Sequence, residues 1–554
     1  MDGCEILRGD RLLDNISFFQ PASKKATKKC HMHTQERKTR YNFVMHRPFI
    51  NMNFGKLLFF VLSLFQQRGS CLDAPVTPPF VHWRGLDDVV TPVNSVMISI
   101  VDYGACTDEK CDGLSNTNAI NSALSAMETG DSLLIPEGTF KVVGGISASG
   151  LRNATIVIDG ELEFYYDADS WPFDPEKPDS FSDCFTIKES IDVVITSSKK
   201  GKFDGGGRIW WDKMIAGTLP NGDSRPLLIK ITNCADVLVE KILLLNSPRF
   251  NLYINAVRAE IRNIEVQTDR SLTSSNNWKD RLKELVVDWA SGLIPDELLQ
   301  PEDLNTDGID PSGVDFWIHD VKIHNDDDSI AVKPSRRGSV GIDGTEYDCT
   351  QNLLLENMEL VGFGASIGSV PPTTDRKCID GVTMRNVSMP GTGKGIYVKS
   401  NGNDCNDNVT SQITNLLFED FRITEPFWYA IWLGPQQQHE PGSELGLDCA
   451  LAYPLHDSQC PTQGCSDFAN ITLRNVEIVN PILSPGVILG NASNPMTNLT
   501  FDNVVVKQES RVLGKFPWHE DDFPFRGTYE SINCRSCTCK NCDPVPNGFV
   551  DFFS

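Results

Sequence analysis

The sequence lacks several features that would assign it quickly. Its one membrane-like stretch, Met52–Ala74, has an apolar run of nine residues, Leu57–Phe65, far short of the ~20 that cross a bilayer as a helix. Basic residues are scarce, with 50 Lys and Arg against 74 Asp and Glu and a net charge of −24. The deficit is uneven: residues 1–72 carry twelve basic and five acidic residues, a net of +7, which leaves −31 for the rest. Nucleic acid is excluded as a partner, because contacts with its phosphates need a basic surface. No glycine loop suited to cradling phosphates is present, and the nine histidines show no metal-ligand spacing.

At 554 residues with 40% hydrophobic and 22% charged composition, the chain is long enough for a large core. Lys56, the apolar run and Gly69-Ser70-Cys71 have the three parts of a secretory signal peptide. The reading is a doubtful extension over residues 1–51, a signal peptide over 52–72 and a linker over 73–98; a signal anchor with a basic cytoplasmic tail is the alternative. Six Asn-x-Ser/Thr sequons follow, at Asn153, Asn386, Asn408, Asn470, Asn491 and Asn498. Fourteen of the seventeen cysteines lie beyond Cys71, an even number that suits disulfides in an oxidising compartment. The stretch "CRSCTCKNC" (Cys534, Cys537, Cys539, Cys542) is read as disulfides ahead of a zinc site. An extracellular chain acting as a monomer, with no stable membrane association after cleavage, is expected.

An eight-residue phrase recurs from residue 237 onward: alternating apolar residues broken by a polar pair. Its copies are "VLVEKILL" (237–244), "AEIRNIEV" (259–266), "FWIHDVKI" (316–323), "LLLENMEL" (353–360), "VTMRNVSM" (382–389), "LLFEDFRI" (416–423), "ITLRNVEI" (471–478) and "LTFDNVVV" (499–506). Each reads as two short strands meeting at a bend. The fifth positions are Lys241, Asn263, Asp320, Asn357, Asn386, Asp420, Asn475 and Asn503, between 22 and 57 residues apart. The short gaps equal one coil of a β-solenoid, while the long ones imply inserted loops or an extra coil. A sandwich also has short strands, but not one bend recurring with Asn, which stacked coils ~4.8 Å apart would join into ladders. The fold expected is an all-β, right-handed parallel β-helix over residues 99–510, with loop insertions and a Cys-rich tail over 511–554. "LSNTNAINSALSAM" (114–127) is expected as a helix capping the first coil, and "NNWKDRLKELVVDWASGL" (276–293) as a helix-like insertion.

Carboxylates cluster in "LNTDGID" (304–310) and, about one coil on, "HNDDDSIAVK" (324–333). Glycosidic hydrolysis needs a proton donor and a base or nucleophile, usually two Asp or Glu. Adjacent coils would bring Asp307, Asp327 and Asp328 to one face with room for a water between them. Carboxylates held close also spread their pKa values, leaving one protonated. Calcium is the weaker reading, since consecutive Asp on a strand point to opposite sides. A solvated acidic loop ranks slightly above calcium but below the catalytic reading, because a strand follows at once.

At these residues the chain resembles the polygalacturonase family, glycoside hydrolase family 28. The family's ordered pattern is Asn-Thr-Asp, Asp-Asp, Gly-His-Gly and Arg-Ile-Lys. Asn305-Thr306-Asp307 matches the first motif and Asp327-Asp328 the second. "GFGASIGS" (362–369) keeps the third frame with Phe363 in place of His, and "GIYVKS" (395–400) keeps Lys399 with Tyr397 in place of Arg. "FDGGGRIWWD" (203–212) and "NSPRFNLYI" (246–254) resemble its early coils. The resemblance implies an inverting hydrolase of pectin-type polysaccharide that needs no cofactor. Asp327 would be the general acid, with Asp307 and Asp328 activating water and Asp326 a bystander. Asn305 and Lys399 would bind substrate, Lys399 as a point charge for a carboxylate. In the family the His helps to set the protonation of the Asp group, and the Arg shares recognition of the uronate. The changes at Phe363 and Tyr397 therefore imply an altered glycan, such as rhamnogalacturonan or a substituted galacturonan. They also support the alternative of a carbohydrate-binding β-helix that has lost activity. "PFWYAIWLGPQQQHE" (426–440) adds Tyr429 and Trp432 as candidates for sugar stacking, with ordinary packing as the equal alternative.

Overall fold

The computed structural model describes residues 95–107, 111–220, 222–268, 305–371, 376–401, 411–426, 428–437, 449, 460–481, 484–508 and 529–551. All belong to one unit of the chain, Pro75–Ser554. The expected extension (1–51), signal peptide (52–72) and helix-like insertion (276–293) lie outside the described residues.

The recurring phrases are the long strands of a parallel β-helix. Leu252–Arg262, Ile309–His324, Thr350–Val361, Lys377–Pro390, Gln412–Thr424, Asp467–Val479 and Met496–Lys507 each pair in parallel with the next. Each copy crosses its bend in the same way. All eight fifth-position residues hold φ between 52° and 59°, the left-handed region that Asn and Asp tolerate best among residues with a side chain. Their side chains then form rungs. Asn357 Nδ2 donates to Asp320 Oδ1 (3.3 Å) and Asn386 Nδ2 to Asn357 Oδ1 (2.7 Å). Farther along, Asn475 Nδ2 donates to Asp420 Oδ1 (2.9 Å) and Asn503 Nδ2 to Asn475 Oδ1 (3.0 Å). A second ladder runs beside it through Asp380, Asn415, Asn470 and Asn498. Three of the six sequons, at Asn386, Asn470 and Asn498, are thus rungs of a ladder.

The register shows what the uneven gaps mean. Glu240 pairs Arg262, Arg262 pairs His319, and Glu419 pairs Arg474. The long gaps are therefore insertions within one coil, not extra coils. One interior column runs Ile261, Ile318, Leu355, Met384, Phe418, Leu473, Phe501 and Cys539, all of them buried. Each such side chain removed from water stabilises the fold by roughly 1.5–3 kcal/mol.

The helix Gly113–Ala126 closes the first coil. Its N-cap Asp112 accepts from the Ser115 amide, and its buried face carries Ile120, Ala123 and Leu124. Thr117 Oγ1 and Asn121 Nδ2 donate to the carbonyls of Val143 and Gly145, at 2.8 and 3.0 Å, so the cap also satisfies backbone at the open end. A second helix, Gly207–Ile215, was not foreseen within "FDGGGRIWWD"; it buries Trp210 and Trp211. In the Cys-rich stretch, Met496 pairs Cys534 and Thr500 pairs Thr538, so strands there continue the stack. Its cysteines form the disulfides Cys534–Cys537 and Cys539–Cys542, and Cys106–Cys111, Cys349–Cys378 and Cys449–Cys460 are also bonded.

Asn475 tests the bend. Asn475→Ala removes two rungs and places a Cβ-bearing residue without compensating hydrogen bonds in the left-handed region, so it should cost roughly 1–3 kcal/mol. Asn475→Gly loses the same rungs without the backbone penalty and should cost less. Urea midpoints compare them, and equal losses would show that the left-handed bend contributes nothing.

Candidate active site

A second set of short strands carries the chemistry. Ile330–Val332, Ala365–Val370, Ile396–Ser400 and Ile431–Pro435 pair in register. Ile330, Ala365, Ile396 and Ile431 point into the core, so the alternate column, Ala331, Ser366, Tyr397 and Trp432, points outward. Asp327 and Asp328 sit at the turn before the first of these strands, and Asp307 before the preceding coil's strand.

Backbone bonds fix these turns. The Gly308 amide donates to the Asp328 carbonyl (2.9 Å) and the Phe363 amide to the Asp327 carbonyl (2.7 Å). Asn325 Nδ2 reaches the carbonyls of Thr306, Asp327 and Asp328 at 2.8, 3.0 and 2.9 Å. Asn251 Nδ2 holds the Thr306 and Asp307 carbonyls. Close packing also explains the retained glycine frame. A Cβ on Gly362 would stand 2.2 Å from Asn325 Oδ1 and 2.5 Å from the Asp327 carbonyl oxygen, so only glycine fits.

The three carboxylates converge, each with one oxygen within 4.8 Å of one of the others'. Asp326 is not in this group. The spacing is tighter than the ~6.5–9.5 Å usual between the carboxyl groups of inverting glycosidases, so it does not by itself indicate stereochemistry. A water still fits, since two 2.8 Å hydrogen bonds at a near-tetrahedral angle span about 4.6 Å between acceptors.

Two lysines balance the cluster. Lys399 Nζ donates to Asp328 Oδ2 at 2.5 Å, and Ser366 Oγ donates to Asp328 Oδ1 at 2.7 Å. Lys333 Nζ lies 3.3 Å from Asp307 Oδ2 and 3.4 Å from Asp310 Oδ2. Asp327 Oδ1 accepts from the Asp328 amide (2.7 Å), while Asp327 Oδ2 and Asp307 Oδ1 are buried without a partner. Burial, reinforced by Asp307 and Asp328, pushes Asp327 well above the usual carboxyl range. Burial also raises Asp307, against the pull of Lys333, and raises Asp310 well above that range. Burial pulls the two lysines down, but the carboxylates outweigh it and hold both above their ordinary value. Asp307, Asp327 and Asp328 each offer one oxygen in a spacing that a metal ion could also use, while Lys333 and Lys399 offset part of their charge. The arrangement offers a proton on Asp327 and an open acceptor on Asp307.

The other predicted residues take different places. Lys399, expected to meet substrate directly, is bonded to Asp328. Asn305, with its amide oxygen turned toward Arg249, accepts from Nε and Nη2 at 3.2 Å each. Phe363 is half-buried beside the Asp327 turn. The Tyr397 hydroxyl accepts from the Gln437 amide at 2.8 Å, and its ring lies beneath the ammonium groups of Lys394 (3.8 Å to the centroid) and Lys399 (4.5 Å). Tyr429 and Trp432 have their ring centroids 5.5 Å apart, and Trp432 Nε1 donates to the Pro435 carbonyl at 2.8 Å. Both are at most 1% exposed, so here they pack rather than present a face.

Sequence reasoning missed Asp310, Lys333, Ser366, Lys394 and Arg249. Asp310 and Lys333 stood inside the quoted motifs, at the outward positions of their strands, and that alternation was the available signal. The letters Gly364-x-Ser366-x-Gly368 also match a nucleophile elbow, but Ser366 lies within the strand Ala365–Val370 rather than at a strand-to-helix turn, and its hydroxyl donates to Asp328.

Comparison with known proteins follows this geometry. Residues 127–444 match the family model "Glycosyl hydrolases family 28". The chain is 24% identical over 327 residues to "Probable rhamnogalacturonase E" of Aspergillus flavus, covering 58% of this chain and 56% of that protein. It is 25% identical over 332 residues to "Probable endo-xylogalacturonan hydrolase A" of Aspergillus oryzae, covering 59% and 69%. The first of these matches thus spans little more than half of the relative's length. The fold resembles that of the polygalacturonase from Erwinia carotovora with a TM-score of 0.51 at 18% identity, covering 80% of this chain and 98% of that one.

The raised carboxyls make a stability prediction. A folded-state pKa above the unfolded value gives stability that is complete below the unfolded value and lost as pH rises through the folded one. Asp327→Asn removes that loss, so its melting temperature relative to the natural protein should climb between pH 4 and pH 8. The gain should reach roughly 1–3 kcal/mol at the alkaline end. A difference independent of pH would show that Asp327 holds no extra proton.

Proposed function

The chain belongs to glycoside hydrolase family 28, an inverting family, and from that premise we propose that it hydrolyses glycosidic bonds in a pectin-type acidic polysaccharide. The observation that carries this is the meeting of Asp307, Asp327 and Asp328 with two open oxygens, one on a carboxyl held protonated and one on its neighbour. In the reaction, Asp327 Oδ2 gives its proton to the glycosidic oxygen as the bond to the anomeric carbon breaks. A water held against Asp307 Oδ1 and Asp328 bonds to that carbon from the opposite face and yields its proton to Asp307. The products are a reducing end of inverted configuration and a free hydroxyl. Exchange with solvent returns the proton to Asp327. Lys399 and Ser366 hold Asp328 in place, and Lys333 favours the charged form of Asp307.

The preferred glycan is a rhamnogalacturonan or substituted galacturonan rather than plain polygalacturonate, consistent with the names of the relatives above and with Tyr397 standing where the family has Arg. Extracellular action suits the five disulfides among the described residues. A second reading, a glycan-binding β-helix without activity, is favoured by one observation: Phe363 supplies no titratable group at the Asp327 turn.

Release of reducing ends from rhamnogalacturonan, xylogalacturonan, polygalacturonate and neutral glycans separates the two. Hydrolysis of an acidic glycan is expected, falling roughly 10²–10⁴-fold in Asp327→Asn. Equal rates in that variant would remove Asp327 as the acid. Binding without release from any glycan would establish the second reading.

A further inference from the structure

The other cations around the cluster are already engaged. Lys399 is bonded to Asp328, Lys333 lies between Asp307 and Asp310, and Arg249 pairs with Asp223 at 3.3 Å. Lys394 differs. It is only 3% exposed, yet its ammonium makes no hydrogen bond or ion pair among the described residues. It lies 3.8 Å from the centroid of the Tyr397 ring and 5.6 Å from that of Trp432. Two aromatic faces replace only part of the water a buried ammonium has lost.

We propose that Lys394 is the residue that receives the uronate carboxylate of the substrate, doing from above the Tyr397 ring what an arginine at position 397 would do from the strand itself. The proposal rests on the reading above that the site takes acidic glycans, and it names the group that recognises the acid. Three features support it. Tyr397 fills the outward position next to Ser366, whose hydroxyl touches Asp328, so an anion over that ring lies beside the reacting groups. Lys399 shares the same ring at 4.5 Å but is spent on Asp328, leaving Lys394 as the cation without a counter-charge among the described residues. Burial and the neighbouring Lys399 charge also push Lys394 well below its ordinary value, while Asp328 and Asp327 pull the other way. An arriving carboxylate would relieve that penalty, so part of the cost built into the free site is recovered on binding.

The Tyr397 ring has a defined part in this arrangement. Its hydroxyl is anchored on the Gln437 amide, so the ring is held as a fixed platform under the ammonium. Gly395, just after Lys394, admits no side chain: a Cβ there would stand 2.3 Å from the Ala430 carbonyl oxygen. The backbone carrying the lysine is therefore pressed against the next coil, and a flexible side chain is placed with little backbone freedom.

Binding can be measured without turnover in an Asp327→Asn background, by calorimetry with a galacturonate oligosaccharide and with its methyl ester. The parent should prefer the acid. Adding Lys394→Met should weaken binding of the acid ~10–100-fold and leave the ester unchanged, the loss of one charge-assisted contact. Lys394→Arg should restore most of the preference. Because a lone buried ammonium is removed, Lys394→Met should also melt no lower than its parent. Unchanged acid binding in Lys394→Met, or no preference for acid over ester in the parent, would overturn the proposal. A lower melting temperature together with equal losses for acid and ester would mean a merely structural lysine, which overturns it too. Acid preference without reducing-end release in the natural protein would remove the hydrolase reading while leaving this one standing.

Discussion

The molecule depends on coils stacking in strict register, and that register is held at one recurring bend. In each coil the chain bends through a residue in the left-handed region, and the eight positions agree to within a few degrees. A slip of one residue would turn every inward side chain outward, so the column from Ile261 to Phe501 exists only while the bends stay aligned. Asn is the economical choice at this place. It accepts the backbone geometry and then bonds its counterpart one coil away. Asp serves beside Asn, as at Asp320 and Asp420, because a rung needs one donor and one acceptor.

The same register produces the site. Strand spacing of ~4.8 Å brings residues that are 20 or 30 positions apart into contact, so Asp307 meets Asp327 and Asp328 without any long side chain reaching across. Three carboxylates at that distance are unfavourable together. The fold answers with lysines on the outward positions of neighbouring strands, Lys333 and Lys399, rather than by separating the acids. Lys333 favours the charged form of Asp307, while Asp327, touched by neither lysine, is left to burial and to its neighbours' charge. Asp310 is raised as well although it pairs with Lys333, so what singles out Asp327 as the proposed acid is its open oxygen within the three-carboxylate cluster. That account does not need a histidine at position 363.

The fold was legible because its signal is repetitive. Eight copies of one phrase locate the bends, and the choice of Asn at position five has one strong explanation. The gap lengths were ambiguous, since 57 residues fit either a looped coil or two coils; only the pairing of Arg262 with His319 decides it. The carboxylates were legible because their motifs are dense in sequence. Lys394 was not, for a lysine in "GTGKGIYVKS" reads as an exposed turn until the neighbouring coil covers it. Tyr429 and Trp432 mislead in the opposite direction. An aromatic cluster carries the same letters whether it stacks on sugar or packs on itself, and here each ring is covered. The helix Gly207–Ile215 was missed because its three leading glycines read as a turn.

On the resemblance above, a Tyr at 397 in place of Arg bears on how such a site diverges. A guanidinium on the strand would stand next to Lys399 in the alternate column, placing two fixed cations on one strand against one carboxylate, Asp328. A tyrosine removes one of those charges from the strand and offers a ring on which a lysine from the preceding turn can rest. Lysine is flexible, is strongly hydrated and shifts its pKa readily when buried, whereas arginine stays charged and binds carboxylates in a planar fork. If Lys394 receives the acid as proposed, the site has a point charge where an arginine would give a geometric clamp. A point charge tolerates several orientations of the acid it meets. Such tolerance would suit the branched or alternating uronates of the proposed substrates better than a repeated single galacturonate geometry.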